Sequence, residues 1–95
     1  MKKGDKLFVR IDYKNSNSNF KSKDFEEHVQ YLKTIASERY LIGGGFNNTK
    51  GGMVIFEAKD INEAKKITEK DPLIQKDFYR FELYEWELFI LSDNK

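Results

Sequence analysis

The chain has no cysteine. That excludes disulfides, thiol nucleophiles and every cysteine-based metal site. Histidine, proline and tryptophan each occur once in 95 residues. One histidine with scattered acids is too few ligands for a typical zinc centre, so neither a metal nor another cofactor is expected. Neither sign of charge prevails: 17 Lys and Arg face 16 Asp and Glu, a formal net charge of +1. Such a balance does not draw a polyanion, so nucleic acid is not an expected partner. No apolar run approaches the roughly 20 residues of a bilayer-spanning helix. Met1-Lys2-Lys3-Gly4-Asp5 turns polar at once, unlike a secretory signal. The expectation is one cytoplasmic domain over residues 1–95, with no membrane association.

What the chain does have is aromatic surface, at 15% of residues. That is more apolar area than one small core readily hides, so a buried subunit interface is expected. The one proline falls in Asp71-Pro72, where a helical pattern stops. A proline confines the residue before it to extended backbone, so Asp71 is pinned at a break. A carboxylate there can cap the short turn that Pro72 begins. It can also reach a polar partner elsewhere, and His28 is the partner we expect.

From Lys6 to Tyr13 the pattern alternates as in a strand. Leu7, Val9, Ile11 and Tyr13 form an apolar side that should face helices. Phe8, Arg10 and Asp12 form the other side, either solvated or lining a polar pocket. Lys14 to Lys21 is an Asn/Ser-rich loop. Ser22 to Arg39 reads as a helix capped by Ser22 or Asp24, with Phe25, Val29, Leu32 and Ala36 in one apolar stripe. His28 flanks that stripe and should point inward.

Tyr40–Phe46 and Met53–Ala58 read as a hairpin, the second strand buried on both faces. Gly43, Gly44 and Gly45 weaken the first strand. Glycine in a strand usually marks a bulge or a close approach by ligand or backbone. We take these three as candidate substrate-binding positions. The P-loop spacing is absent. Asp60 and Glu63 open a second helix in the manner of a capping box, with Ile61, Ala64 and Ile67 inward. It ends at Asp71-Pro72, and one further turn follows. Tyr79 to Leu91 is a long last strand whose apolar parity shifts near Tyr84, from a bulge or from a strand shared between two surroundings. Ser92 to Lys95 is a polar tail.

The order β-α-β-β-α-β is the ferredoxin-like, or split βαβ, α+β arrangement: a four-stranded antiparallel sheet with both helices on one face. The other face is then bare and partly aromatic. Pairing that face with a second copy would close it in a two-fold dimer, a dimeric α/β barrel.

Several stretches stand in a telling order. His28-Val29-Gln30-Tyr31-Leu32 precedes Leu41-Ile42-Gly43-Gly44-Gly45-Phe46. Gly51-Gly52-Met53-Val54-Ile55-Phe56-Glu57-Ala58 follows, then Glu63-Ala64, Asp71-Pro72 and Tyr84-Glu85-Trp86. In this the chain resembles the YciI-like (YCII-related) family of small dimeric α/β-barrel proteins, from about Phe25 to Trp86. The resemblance implies a ferredoxin-like homodimer and a site built on a His–Asp pair, here His28 and Asp71. It also implies a small-molecule ligand. Some relatives in the wider superfamily act on cyclic or aromatic breakdown products by proton transfer, elimination or isomerisation, whereas others only bind.

The chain departs from that pattern in three places. The arginine often found a few residues before the histidine is replaced by Phe25-Glu26-Glu27. Gly45 stands where a proline often follows the second glycine, and Glu85-Trp86 stands for Pro-Trp. Losing the arginine would weaken anchoring of an anionic substrate, and we expect Arg10 to supply the cation instead. With no evident serine or cysteine nucleophile, proton abstraction or elimination is favoured over acyl transfer, with His28 as general base and Asp71 orienting it. The alternative is a non-catalytic dimeric binding or accessory protein.

Overall fold

The computed structural model describes residues 1–16 and 18–92. The elements are β1 (Lys6–Lys14), α1 (Ser22–Ala36), β2 (Leu41–Gly45), β3 (Gly52–Phe56), α2 (Ile61–Glu69), the single turn α3 (Pro72–Gln75) and β4 (Tyr79–Glu87). All neighbouring strands pair antiparallel, in the order β2-β3-β1-β4. This is the expected ferredoxin-like α+β fold. Of the expected tail, only Ser92 lies within the described residues.

Local chemistry accounts for most of the boundaries. Asp24 accepts a 2.9 Å bond from the Lys21 amide, one turn before its own position in α1. The N-cap of that helix is Lys21 itself, so Ser22 does not cap it. Asp60 caps α2 as expected, accepting from the Glu63 amide at 2.9 Å. Helix α1 stops three residues short of Arg39, which turns instead to Glu63 at 2.9 Å. The hairpin of β2 and β3 closes through Gly51 and Gly52. Gly51 sits at φ +99°, and a side chain there would run into the Asp12 carbonyl. A Cβ on Gly52 would stand 2.5 Å from the Gly44 carbonyl oxygen.

The core lies between the sheet and the helices. Phe8, Val54 and Phe56 pack there with Ala64 and Ile67 of α2, and Leu32 and Ile35 of α1 close over them. Tyr31 ties α1 to α2 by donating to the Ile67 carbonyl at 2.7 Å. Ile61, expected inside, is 39% exposed, and Thr68 takes the inner place, its hydroxyl donating to the Ala64 carbonyl.

The faces of β1 are the reverse of the expectation. Phe8, Arg10 and Asp12 lie on the helix-covered side in register with Phe56, Val54 and Gly52. All three are buried, whereas of the expected inner set only Leu7 is buried, and Val9, Ile11 and Tyr13 on the open side are half-buried. The physical reason is pairing. Two residues apart on one strand point the same way, so Arg10 and Asp12 neutralise each other and can enter the interior. In β3, too, only Val54 and Phe56 are buried, so a single chain covers one face and not both. In β4 the register with β1 runs unbroken from Tyr79 to Glu87. There is no bulge: Phe81 and Leu83 face the helices, Tyr84 and Trp86 the open side. The strand also ends at Glu87, ahead of the expected Leu91.

Candidate active site

Asp71 is where the site begins. Helix α2 ends at Glu69, and Pro72 holds Asp71 at φ −64°, ψ 130°. Its Oδ1 accepts the Leu73 amide at 2.9 Å, which caps α3. The side chain is fully buried. Its carboxylate does more than cap. His28 of α1 places Nδ1 2.8 Å from Oδ1 and 2.7 Å from Oδ2. Arg10 of β1 brings Nη2 to 2.9 Å from Oδ2. Three elements therefore converge on one carboxylate.

The electrostatics follow from that convergence. Burial works against ionising Asp71, but the His28 hydrogen bond, the Arg10 charge and the Leu73 amide outweigh it and hold the carboxyl below the ordinary range. An ionised carboxylate can only accept. Nδ1 must then donate, so in the neutral ring Nε2 carries the free lone pair.

Arg10 is 1% exposed. Its Nε reaches Asp12 Oδ1 at 2.7 Å and its Nη2 reaches Asp12 Oδ2 at 2.9 Å, a two-pronged pair. Burial disfavours the guanidinium charge, but the two carboxylates more than compensate and keep its pKa raised. This corrects the expected role. Arg10 lies on the helix side, not the open side, and its charge is already matched by Asp12 and Asp71. Asp12 itself is pushed above the ordinary aspartate value, chiefly by burial, despite the Arg10 bonds.

Beside these groups lies a cavity of about 270 Å³, near the lower end of ligand-pocket sizes. Its apolar wall includes Phe25, Val29, Leu32 and Ala36. The stripe read from the sequence thus lines a hollow more than it fills a core. Gly43, Gly44 and Gly45 form part of the opposite wall, where the lack of side chains leaves room. His28 and Asp12 both line the cavity, while Arg10 and Asp71 stand behind it. Lys33, exposed on α1, also contributes to the lining.

The sequence therefore led to His28, Asp71 and the three glycines, which the fold gathers around one space. Asp12 was not singled out as a site residue. Its signal was the spacing Arg10-x-Asp12 in an otherwise apolar strand.

Residues 7–87 match the YCII-related domain model, so the chain belongs to that family of small α+β domains. It is 31% identical over 62 residues to the uncharacterized protein YjpA of Bacillus subtilis (strain 168), covering 64% of this chain and 73% of that protein. A solved structure with the same fold is the 5-chloro-2-hydroxyhydroquinone dehydrochlorinase TftG of Burkholderia phenoliruptrix AC1100, in complex with 2,5-dihydroxybenzoquinone. The two superpose with a TM-score of 0.73 at 18% identity, over 85% of this chain and 93% of TftG.

Proposed function

We propose that this protein is a small enzyme that moves a proton on a compact cyclic metabolite, by isomerisation or elimination, with His28 as general base. One observation carries the reading: His28 Nδ1 is within 2.8 Å of a buried, ionised Asp71 while the same ring lines a cavity. Asp71 fixes the tautomer and would stabilise the imidazolium formed when Nε2 takes a proton. The glycine wall and the apolar stripe shape the space for a flat or small ligand. The dehydrochlorination named for TftG is an elimination, which fits this chemistry. A ligand with an acidic group would meet Lys33 before Arg10, because Arg10 is already paired.

The working unit we propose is a cytoplasmic homodimer of one domain, joined through the open sheet face. Ile42, Met53, Tyr84 and Trp86 expose apolar surface there, and a second copy of the same face would cover it. Among the described residues, no helix is long and apolar enough to cross a membrane.

The test is turnover of 5-chloro-2-hydroxyhydroquinone and related hydroxylated hydroquinones, followed by absorbance and halide release. Wild type should turn over a member of this set and His28→Ala should not, with the circular dichroism spectrum unchanged. Turnover that survives His28→Ala sinks the proposal. A second reading, ligand holding without chemistry, is favoured by the mostly apolar lining and the pre-paired Arg10. Binding without any turnover, independent of histidine titration, would select it.

A further inference from the structure

Four ionisable groups form one hydrogen-bonded row, Asp12–Arg10–Asp71–His28. Its two ends line the cavity and its two middle members do not. A purely structural ion pair has no need of such an arrangement. We infer that Asp12 is a second proton-handling group of the cavity, acting on the same ligand as His28, with Arg10 as the positioning residue that holds it in place. The inference rests on the proton-transfer reading above and adds the acid that such a reaction needs.

Three features support it. Each Asp12 oxygen takes one N–H from Arg10, which leaves a lone pair on each for another partner. Gly51 and Gly52 run past Asp12 without side chains, so the hairpin does not wall it off. The two carboxylates sharing Arg10 are also driven apart: Asp71 is held down, while burial raises Asp12. Paired titratable groups with diverging environments are how one site separates an acid from a base. The charged or titratable groups around Asp12 are Arg10 on its own strand, Asp71 ahead of α3, His28 on α1 and Tyr79 on β4.

The step balances. His28 Nε2 takes a proton from the ligand, and the electron pair of the broken bond moves into the ligand. Asp12, as the carboxylic acid, adds its own proton at a second ligand atom. The product is an isomer of the substrate. His28 then returns its proton to Asp12 through water. Arg10 stabilises the Asp12 carboxylate left in between.

The experiment is a carboxyl ¹³C titration of the full-length protein, assigned through the backbone, so it does not depend on a variant folding. Asp12 should titrate at a higher pH than Asp71. In Arg10→Lys, which keeps the charge but loses the fork, Asp12 should move higher still while Asp71 stays lower. Asp12 titrating at or below Asp71 overturns the inference. Adding 2,5-dihydroxybenzoquinone then separates the two readings. Shifts at both Asp12 and His28 support both. Shifts at His28 alone overturn the role of Asp12 and leave His28 standing. Shifts at neither overturn the cavity as the site, and both readings with it.

Discussion

Replacing Asp71 by alanine should be the most damaging single change in the site, and its size can be worked from the contacts. The substitution removes the cap on the Leu73 amide, a loss of about 1 kcal/mol. It also leaves Arg10 buried with one carboxylate where it had two, and His28 Nδ1 without its acceptor. Breaking a buried charge pair from one side costs about 3–5 kcal/mol. These terms share atoms and do not simply add, so we expect a total near the upper part of that range. Against a typical domain stability of about 5–15 kcal/mol, the variant would be marginal. Asp71→Asn separates the terms. Asparagine caps as well as aspartate, but its amide cannot neutralise Arg10. It should recover about 1 kcal/mol relative to alanine. Urea unfolding at one fixed protein concentration measures both, with the slope checked for constancy. A loss below about 1 kcal/mol for Asp71→Ala would refute the reasoning, because it would reduce Asp71 to an ordinary cap.

Other consequences are as direct. Because the folded-state pKa of Asp71 is lowered, its contribution is fully present above the ordinary 3.8 and is lost as pH falls through the folded value. Acid unfolding of Asp71→Asn should therefore be shallower than that of wild type, by circular dichroism across a pH series. Asp12 runs the other way: with its pKa raised, its contribution is present at low pH and lost as pH rises through the folded value. Gly52→Ala should misfold or lose several degrees in Tm, since its Cβ meets the Gly44 carbonyl at 2.5 Å, whereas Gly44→Ala meets nothing within 4 Å and should be tolerated in the isolated chain. Ile42→Glu should yield a monomer by light scattering where wild type gives a dimer; a monomeric wild type at micromolar concentration would refute the interface.

The elements and their order were legible because each carries its own local signal. Asp60 with Glu63, the single Pro72 and the period-2 strands need no knowledge of the rest of the chain. Which face of β1 goes inside was not legible in that way. Hydropathy alone puts Val9 and Ile11 in the core with Leu7, and Arg10 and Asp12 outside, yet of those three only Leu7 is buried. The interior instead receives the charged pair, because a third partner, Asp71, arrives from 61 positions along the chain. The same distance hid Asp12. His28 and Asp71 stood out through scarcity, as the one imidazole and the one proline-pinned acid. Asp12 is one of many acids, and only the position of its neighbours sets it apart. Of the two causes offered for the parity shift in β4, the unbroken register excludes the bulge and leaves the strand shared between two surroundings: Tyr79, Phe81 and Leu83 are half-buried, and Tyr84 to Glu87 are exposed.

One contact has a use that needs no substrate. The Leu73 amide is bonded to the same carboxylate that grips the imidazole, so its protection from deuterium exchange reports whether the dyad is assembled. A ligand, a pH change or a distant substitution that loosens the dyad will be visible as faster labelling at that one backbone position. Mass spectrometry of the exchanged protein can follow that contact through the Leu73 amide alone.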